Sequence, residues 1–274
     1  MKNILVPIDF SKASRNAAKY AVSLGVSFNA TVTFVNVVAP PVIIDDSILA
    51  SVMVTQAELL ESGKGLMKKE IDSFSKKYSI KIKGSVEEGY PPDIIGEMAK
   101  KNHADLMVMG MKGKGQSNSV FGSTTTTIVR KLSFPIFVIP ESASYQSIDR
   151  ITFATDFDPE TKRERYVLLT KLAKKYNSFI HILNVQKNKI TINDDEFIGK
   201  MRTQFVFIDL QHSFNTIKNK TVIEGINKFI GENPSDILVM MAHKHSLFER
   251  MLGKVQTKKM SYETKIPLLI LQSK

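Results

Sequence analysis

The chain has 274 residues, no cysteine, no tryptophan, and 38 Lys and Arg against 27 Asp and Glu, for a formal charge of +11. Its length exceeds one average domain and points to two, while the lack of cysteine excludes disulfides and thiolate zinc sites. Met1-Lys2-Asn3 leads straight into a strand pattern without a signal-peptide core, and no apolar run approaches membrane-spanning length, so a soluble cytoplasmic protein is expected.

The basic balance favours anionic ligands in general. The lysines are dispersed in pairs such as Lys68-Lys69, Lys76-Lys77 and Lys174-Lys175, without interleaved aromatics or a recognisable nucleic-acid module, so nucleic acid is not the expected partner.

In chain order, strands are expected at residues 3–8, 31–38, 80–86, 105–109 and 135–139, each short and rich in Val, Ile, Leu and Phe. Ser11 is placed to cap a helix ending near Gly25. Leu60, Met67, Ile71, Phe74 and Tyr78 form an apolar stripe at helical spacing. Pro91-Pro92-Asp93 opens a third helix, since proline is tolerated in a first turn. Strands alternating with amphipathic stretches imply βαβ units and a mostly parallel, buried sheet.

The fourth strand runs into Met109-Gly110-Met111-Lys112-Gly113-Lys114-Gly115 and reaches Phe121-Gly122-Ser123-Thr124, a glycine-rich loop followed by a helix start. Such a loop brings backbone N–H groups close to an anion, and a helix opening at Ser123 adds unpaired donors and the positive end of its dipole. A P-loop is excluded, because Gln116 follows Gly115 where Lys is needed; the dinucleotide fingerprint is excluded for want of a third glycine. Lys112 and Lys114 would set cations beside the same donors. Gly110 and Gly113 have a plainer reading as turn glycines at positive φ. Met107 and Met109 read first as core residues, and Thr126 and Thr127 as packing or back-bonding positions in the helix.

Gly110, Gly113, Gly122 and Ser123 together resemble the G-x2-G-x9-G-[ST] nucleotide loop of the universal stress protein family, with eight residues instead of nine before Gly122. Ile4-Leu5-Val6-Pro7-Ile8-Asp9-Phe10-Ser11 resembles that family's first strand, ending in an Asp beside adenosine. The resemblance implies that Asp9, Val37, Met109, Gly110, Lys112, Gly113, Gly122, Ser123 and Thr124 bind nucleotide, with Val37 against adenine. The ligand implied is ATP, together with Mg²⁺. Asp9 has an equally weighted structural reading as a helix cap, and Val37 one as a core valine.

The chain also repeats itself. Ile4 to Phe10 recurs as Ile151-Thr152-Phe153-Ala154-Thr155-Asp156-Phe157, and Thr33-Phe34-Val35-Asn36-Val37 as His181-Ile182-Leu183-Asn184-Val185. Asp105 to Met109 recurs as Asp236 to Met240, and Phe134 to Ile139 as Lys265 to Ile270, at smaller offsets, so the second copy has lost residues in its middle. Pairing Gly89 with Gly225 places the loss in the third helix, about a turn and a half shorter in copy two. Domains are expected at 1–142 and 147–274, joined by the small, polar Glu141 to Ser147, with a further loop from Lys187 to Asp195.

Met241 and Lys244 stand where the first copy has Gly110 and Gly113, so no nucleotide is expected in the second half. His243-x-His245 lacks a carboxylate or cysteine partner and makes a weak metal signal. Leu247, Phe248, Met251 and Leu252 share helical spacing, a pattern of buried packing or of a partner surface. No triad, cysteine nucleophile or spaced ligand set stands out, so no enzyme is expected. By resemblance the fold is two Rossmann-like, adenine nucleotide alpha hydrolase-like domains, each five-stranded in order 3-2-1-4-5, packed as an intrachain pseudo-dimer with Ile136–Ile139 meeting Leu268–Leu271. The expected function is a stress-response regulatory module that binds adenine nucleotide without efficient catalysis. A nucleotide-free interaction or chaperone-like protein is the alternative, with protein partners or a homodimer open in either case.

Overall fold

The computed structural model describes residues 1–40, 49–111, 123–131, 134–186, 194–242 and 266–272. They fall into two compact units. The first takes in the residues up to 111, the helix from Ser123 and Ile139–Tyr145; the second takes in residues 134–138 and the chain from Gln146 onward.

In the first unit β1 (Asn3–Pro7), α1 (Lys12–Phe28), β2 (Thr31–Val38), α2 (Leu49–Ser75), β3 (Ile82–Glu88), α3 (Pro91–Lys101), β4 (Leu106–Met111) and α4 (Ser123–Lys131) alternate; β5 (Ile136–Pro140) follows in the chain, its first three residues belonging to the second unit. The strands run in the order β3-β2-β1-β4-β5, with β1 parallel to both β2 and β4 and β2 parallel to β3. The central strands are covered on both faces, which is why they read as unbroken apolar runs. Leu5, Val6, Phe34, Leu106 and Met107 have no exposed surface. Each such large side chain contributes about 1.5–3 kcal/mol relative to exposure.

The second unit repeats the plan with β6 (Arg150–Ala154), a 3-10 turn at Arg163–Tyr166, α5 (Val167–Tyr176), β7 (Phe179–Gln186), α6 (Asp194–Phe207), β8 (His212–Lys218), α7 (Val222–Glu232), β9 (Ile237–Ala242) and β10 (Leu268–Gln272). Its order is β8-β7-β6-β9-β10, all parallel. Within this unit Ile136, Phe137 and Val138 of β5 pair antiparallel with Ile270, Leu269 and Leu268, so the two last strands meet as the resemblance implies. One device appears in both copies. The Asp105 carboxylate accepts the backbone N–H groups of Lys2 and Asn3 ahead of β1, and the Asp236 carboxylate accepts those of Asp149 and Arg150 ahead of β6.

Three expectations need correction. Helix α1 runs on past Gly25 to Phe28 and is closed by Asn29, whose φ is 50° and whose N–H reaches the carbonyls of Gly25 and Val26. Gly25 serves packing instead: a Cβ there would lie 2.5 Å from Ile80 Cδ1 and 2.8 Å from Val32 Cγ2.

Second, α7 is not shortened. It has 11 residues, as α3 does, and most of the residues missing from copy two come out of α6, 14 residues against 27 in α2. Gly225 lies inside α7, against Val185, and is no counterpart of Gly89. That place belongs to Asn219, whose N–H bonds the Gln186 carbonyl as Gly89 bonds Val38.

Third, the loop expected to end at Asp195 ends sooner, since Asp194 and Asp195 already form the first turn of α6; residues 187–193 lie outside the described residues. The segment from Glu141 is also well anchored. Asn16 Nδ2 donates to the carbonyls of Pro140 and Ala143, and Tyr145 packs edge-on against Tyr20 at 4.9 Å.

Candidate functional site

In the first unit the sheet order reverses at β1, whose neighbours β2 and β4 are reached by crossovers in opposite directions. Open α/β sheets bind ligands at the carboxyl ends of the strands flanking such a switch point. Asp9, Val37, Met109 and Gly110 all lie at that edge, on β1, β2 and β4 or just beyond them.

The turn after β1 is built in steps. Buried Ile8 follows the strand, its N–H bonded to the Val35 carbonyl at 2.8 Å, and Asn36 Nδ2 donates to the Ile8 carbonyl at 2.8 Å. Asp9 is exposed, and its carboxylate accepts the Ser11 N–H at 3.0 Å, an Asx turn. Between them Phe10 is held at φ 61°, a left-handed conformation that costs a bulky residue about 1–2 kcal/mol. Ser11, not Asp9, is the N-cap of α1, accepting the Ser14 N–H at 3.3 Å. Asp9 therefore shapes the turn in front of the cap. The first turn of α1 holds no acidic residue and begins at Lys12, so the carboxylate beside its positive end is that of Asp9.

On β4, Met109 is buried and Gly110 follows it in extended backbone. Gly110 is absent from the positive-φ residues, so the turn-glycine reading fails for it. Close approach is the reason for glycine: a Cβ would come within 2.5 Å of the Ala13 carbonyl carbon and oxygen and 2.8 Å of the Ser14 nitrogen. The end of β4 thus lies directly on the first turn of α1. Val37 is half-buried at the end of β2, and Thr124 is half-buried in the first turn of α4, which starts at Ser123. Lys112, Gly113, Lys114 and Gly122 lie outside the described residues, as do Lys244, His243, His245 and the Leu247–Leu252 stretch.

Sequence reasoning missed Phe10 and Asn36 as determinants of this turn. A signal existed. Both fall in repeated segments, and both repeat structurally: Phe157 sits at φ 55°, and Asn184 Nδ2 donates to the Thr155 carbonyl at 3.0 Å.

The second copy diverges immediately after that turn. Asp158 and Pro159 start a loop where the first copy starts α1, with Glu160 N–H bonded to the Asp158 carboxylate at 2.9 Å. Helix α6 presses onto it. A Cβ at Gly199 would come within 1.8 Å of the Phe157 carbonyl oxygen, and the Arg202 guanidinium donates to the Pro159 carbonyl. Below, Phe153, Tyr166 and Phe207 pack edge-on at centroid distances of 5.7–6.0 Å. Burial raises the Tyr166 phenol above its usual pKa, the hydrogen bonds with the Thr203 and Thr161 hydroxyls opposing it. The loop after β6 is thus held against α6.

Among the described residues no group of three or more His, Asp or Glu side chains could hold a metal ion, and no helix is long and apolar enough to cross a membrane.

Comparison with known proteins agrees with this architecture. The family model described as "Universal stress protein family" matches residues 1–140. Universal stress protein MJ0531 of Methanocaldococcus jannaschii is 31% identical over 139 residues, covering 50% of this chain and 81% of the relative. The crystal structure of a universal stress protein from Archaeoglobus fulgidus DSM 4304 superposes over 99% of this chain and 98% of its own, with a TM-score of 0.74 at 14% identity. The chain belongs to the universal stress protein family.

Proposed function

We propose that this protein is a stress-response module whose first half, residues 1–142, binds adenine nucleotide as a regulatory signal, and whose second half, residues 147–274, binds none. The observation that carries the reading is the placement of Asp9 just beyond β1 and Gly110 on the adjacent β4, at the switch point of the sheet, with the first turn of α1 directly against Gly110. The described residues suit a nucleoside: Asp9 offers an exposed carboxylate to ribose, and half-buried Val37 and buried Met109 an apolar wall to the base. Backbone N–H groups of Gly110, Gly113, Gly122 and Ser123, with Lys112 and the Thr124 hydroxyl, are assigned to the phosphates.

ATP with Mg²⁺ is the ligand this set fits best, because Lys112, the nearby Lys114 and a helix start match a polyphosphate; the metal would offset phosphate charge. No residue is assigned as general base or nucleophile, so occupancy acts by shifting the protein's surface or assembly and not by turnover. The one-residue-shorter loop between Gly113 and Gly122 favours a second reading, a nucleotide-free interaction protein that keeps only the fold.

Calorimetry with ATP and Mg²⁺ separates the two. Saturable binding that is lost in Gly113→Val, with thermal stability kept, supports the first reading. Absence of binding in the wild type supports the second, and sustained phosphate release contradicts both.

A further inference from the structure

Helix α6 is apolar on two sides. Gly199, Thr203 and Phe207 face inward and are buried. On a helix of 3.6 residues per turn, Phe197, Ile198, Met201 and Phe205, with Ile208 just beyond, fall within an arc of about 100° on the opposite side. They are 55%, 44%, 38%, 68% and 61% exposed, and they make up half of the ten exposed large hydrophobics among the described residues. Isolated exposed hydrophobics need no explanation, but a contiguous stripe does. The two cations flanking it do not cover it: Lys200 Nζ sits 5.2 Å over the Phe214 ring, and Arg202 is tied to the Pro159 carbonyl.

We propose that this face of α6 is a homodimer interface, closed by antiparallel packing of α6 on its own copy about a twofold axis through Met201. The order of residues is what a twofold contact requires, since a residue i that meets j must have j meet i. Centred on Met201, antiparallel pairing sets Phe197 opposite Phe205 of the second copy, Phe205 opposite Phe197, and Met201 against itself. The area is also sufficient. With roughly 150–250 Å² for a large side chain, the exposed fractions amount to about 500 Å² per copy. The pair therefore buries about 1,000 Å², where specific interfaces begin. The inference uses no residue of the proposed nucleotide site, so it stands whether or not nucleotide binds.

Sedimentation equilibrium of the full chain tests it. The wild type is expected to dimerise at micromolar concentrations, and Phe205→Glu to weaken the dimer at least 100-fold while keeping the same melting temperature and circular dichroism. Because the chain has no native cysteine, Met201→Cys is expected to form an interchain disulfide on oxidation, whereas Lys175→Cys, on α5, does not. A wild type that is monomeric at 100 μM would overturn the proposal, as would a dimer untouched by Phe205→Glu. Failure of Met201→Cys to cross-link in a wild-type-like dimer contradicts the twofold register. Monomeric protein that floats with phosphatidylcholine–phosphatidylglycerol vesicles and loses this in Phe205→Glu would assign the face to lipid instead.

Discussion

Gly110 and Ala13 are in backbone contact: a Cβ on Gly110 would lie 2.5 Å from both the carbonyl carbon and the carbonyl oxygen of Ala13. The strand end that carries the glycine loop and the helix start that follows Asp9 are thereby locked to each other. Neither side can yield, because both are main chain within regular elements.

Gly110→Ala is therefore expected to destabilise the protein by about 1–3 kcal/mol, the usual cost of overpacking. Gly65→Ala, within α2, is the opposite case. Nothing lies within 4 Å of a Cβ there, so it should gain up to about 1 kcal/mol from helix propensity. Urea unfolding of both variants checks the pair, and equal effects would contradict the contact.

Asp9 and Ser11 can be separated. Ser11→Ala removes the α1 cap and should cost about 0.5–2 kcal/mol with little effect on nucleotide affinity. Asp9→Ala removes the acceptor for the Ser11 N–H and should weaken ATP binding at least tenfold beyond its stability effect. Thermal melts and calorimetry on both variants decide; a pure stability effect from Asp9→Ala would return it to a structural role.

Much of the fold was legible because the parallel strands are apolar throughout and the copies repeat. What misled was glycine. Gly25 and Gly225 look like a helix end and a turn in sequence, yet both are interior helix positions shaved for a neighbour, Ile80 and Val32 for one and Val185 for the other. A missing Cβ for packing and a backbone at positive φ leave the same letter. The placement of Asp9 and Gly110 at the strand ends was legible, because chemistry and topology coincide there. The strain at Phe10 was marked only by its recurrence as Phe157, because no residue type by itself announces a bulky side chain forced to positive φ. Nor did the sequence show that α6 would press on the turn after β6, since that depends on Gly199 meeting the backbone of Phe157 across a large sequence separation.

Two titrations bracket the stability of the second unit. Tyr166 has its pKa raised above 10.0, chiefly by burial. The unfolded chain releases that proton first as pH rises, so stability is complete below pH 10.0 and is lost above it. His181 has its pKa lowered from 6.5 by burial and by the Arg150 charge. Here the unfolded chain takes up the proton first, so stability is complete above pH 6.5 and falls as pH drops below it. Denaturant midpoints across pH should lose their alkaline slope in Tyr166→Phe and part of their acid slope in His181→Gln. Unchanged slopes would contradict the burial of these groups.

The proposed function is asymmetric, with one nucleotide site in a chain that carries the fold twice. Native mass spectrometry at saturating ATP and Mg²⁺ reads it directly. One nucleotide per chain, lost in Gly113→Val and retained in Asp156→Ala, is the predicted result. Two nucleotides per chain, or one whose binding depends on Asp156 and not on Gly113, would contradict it.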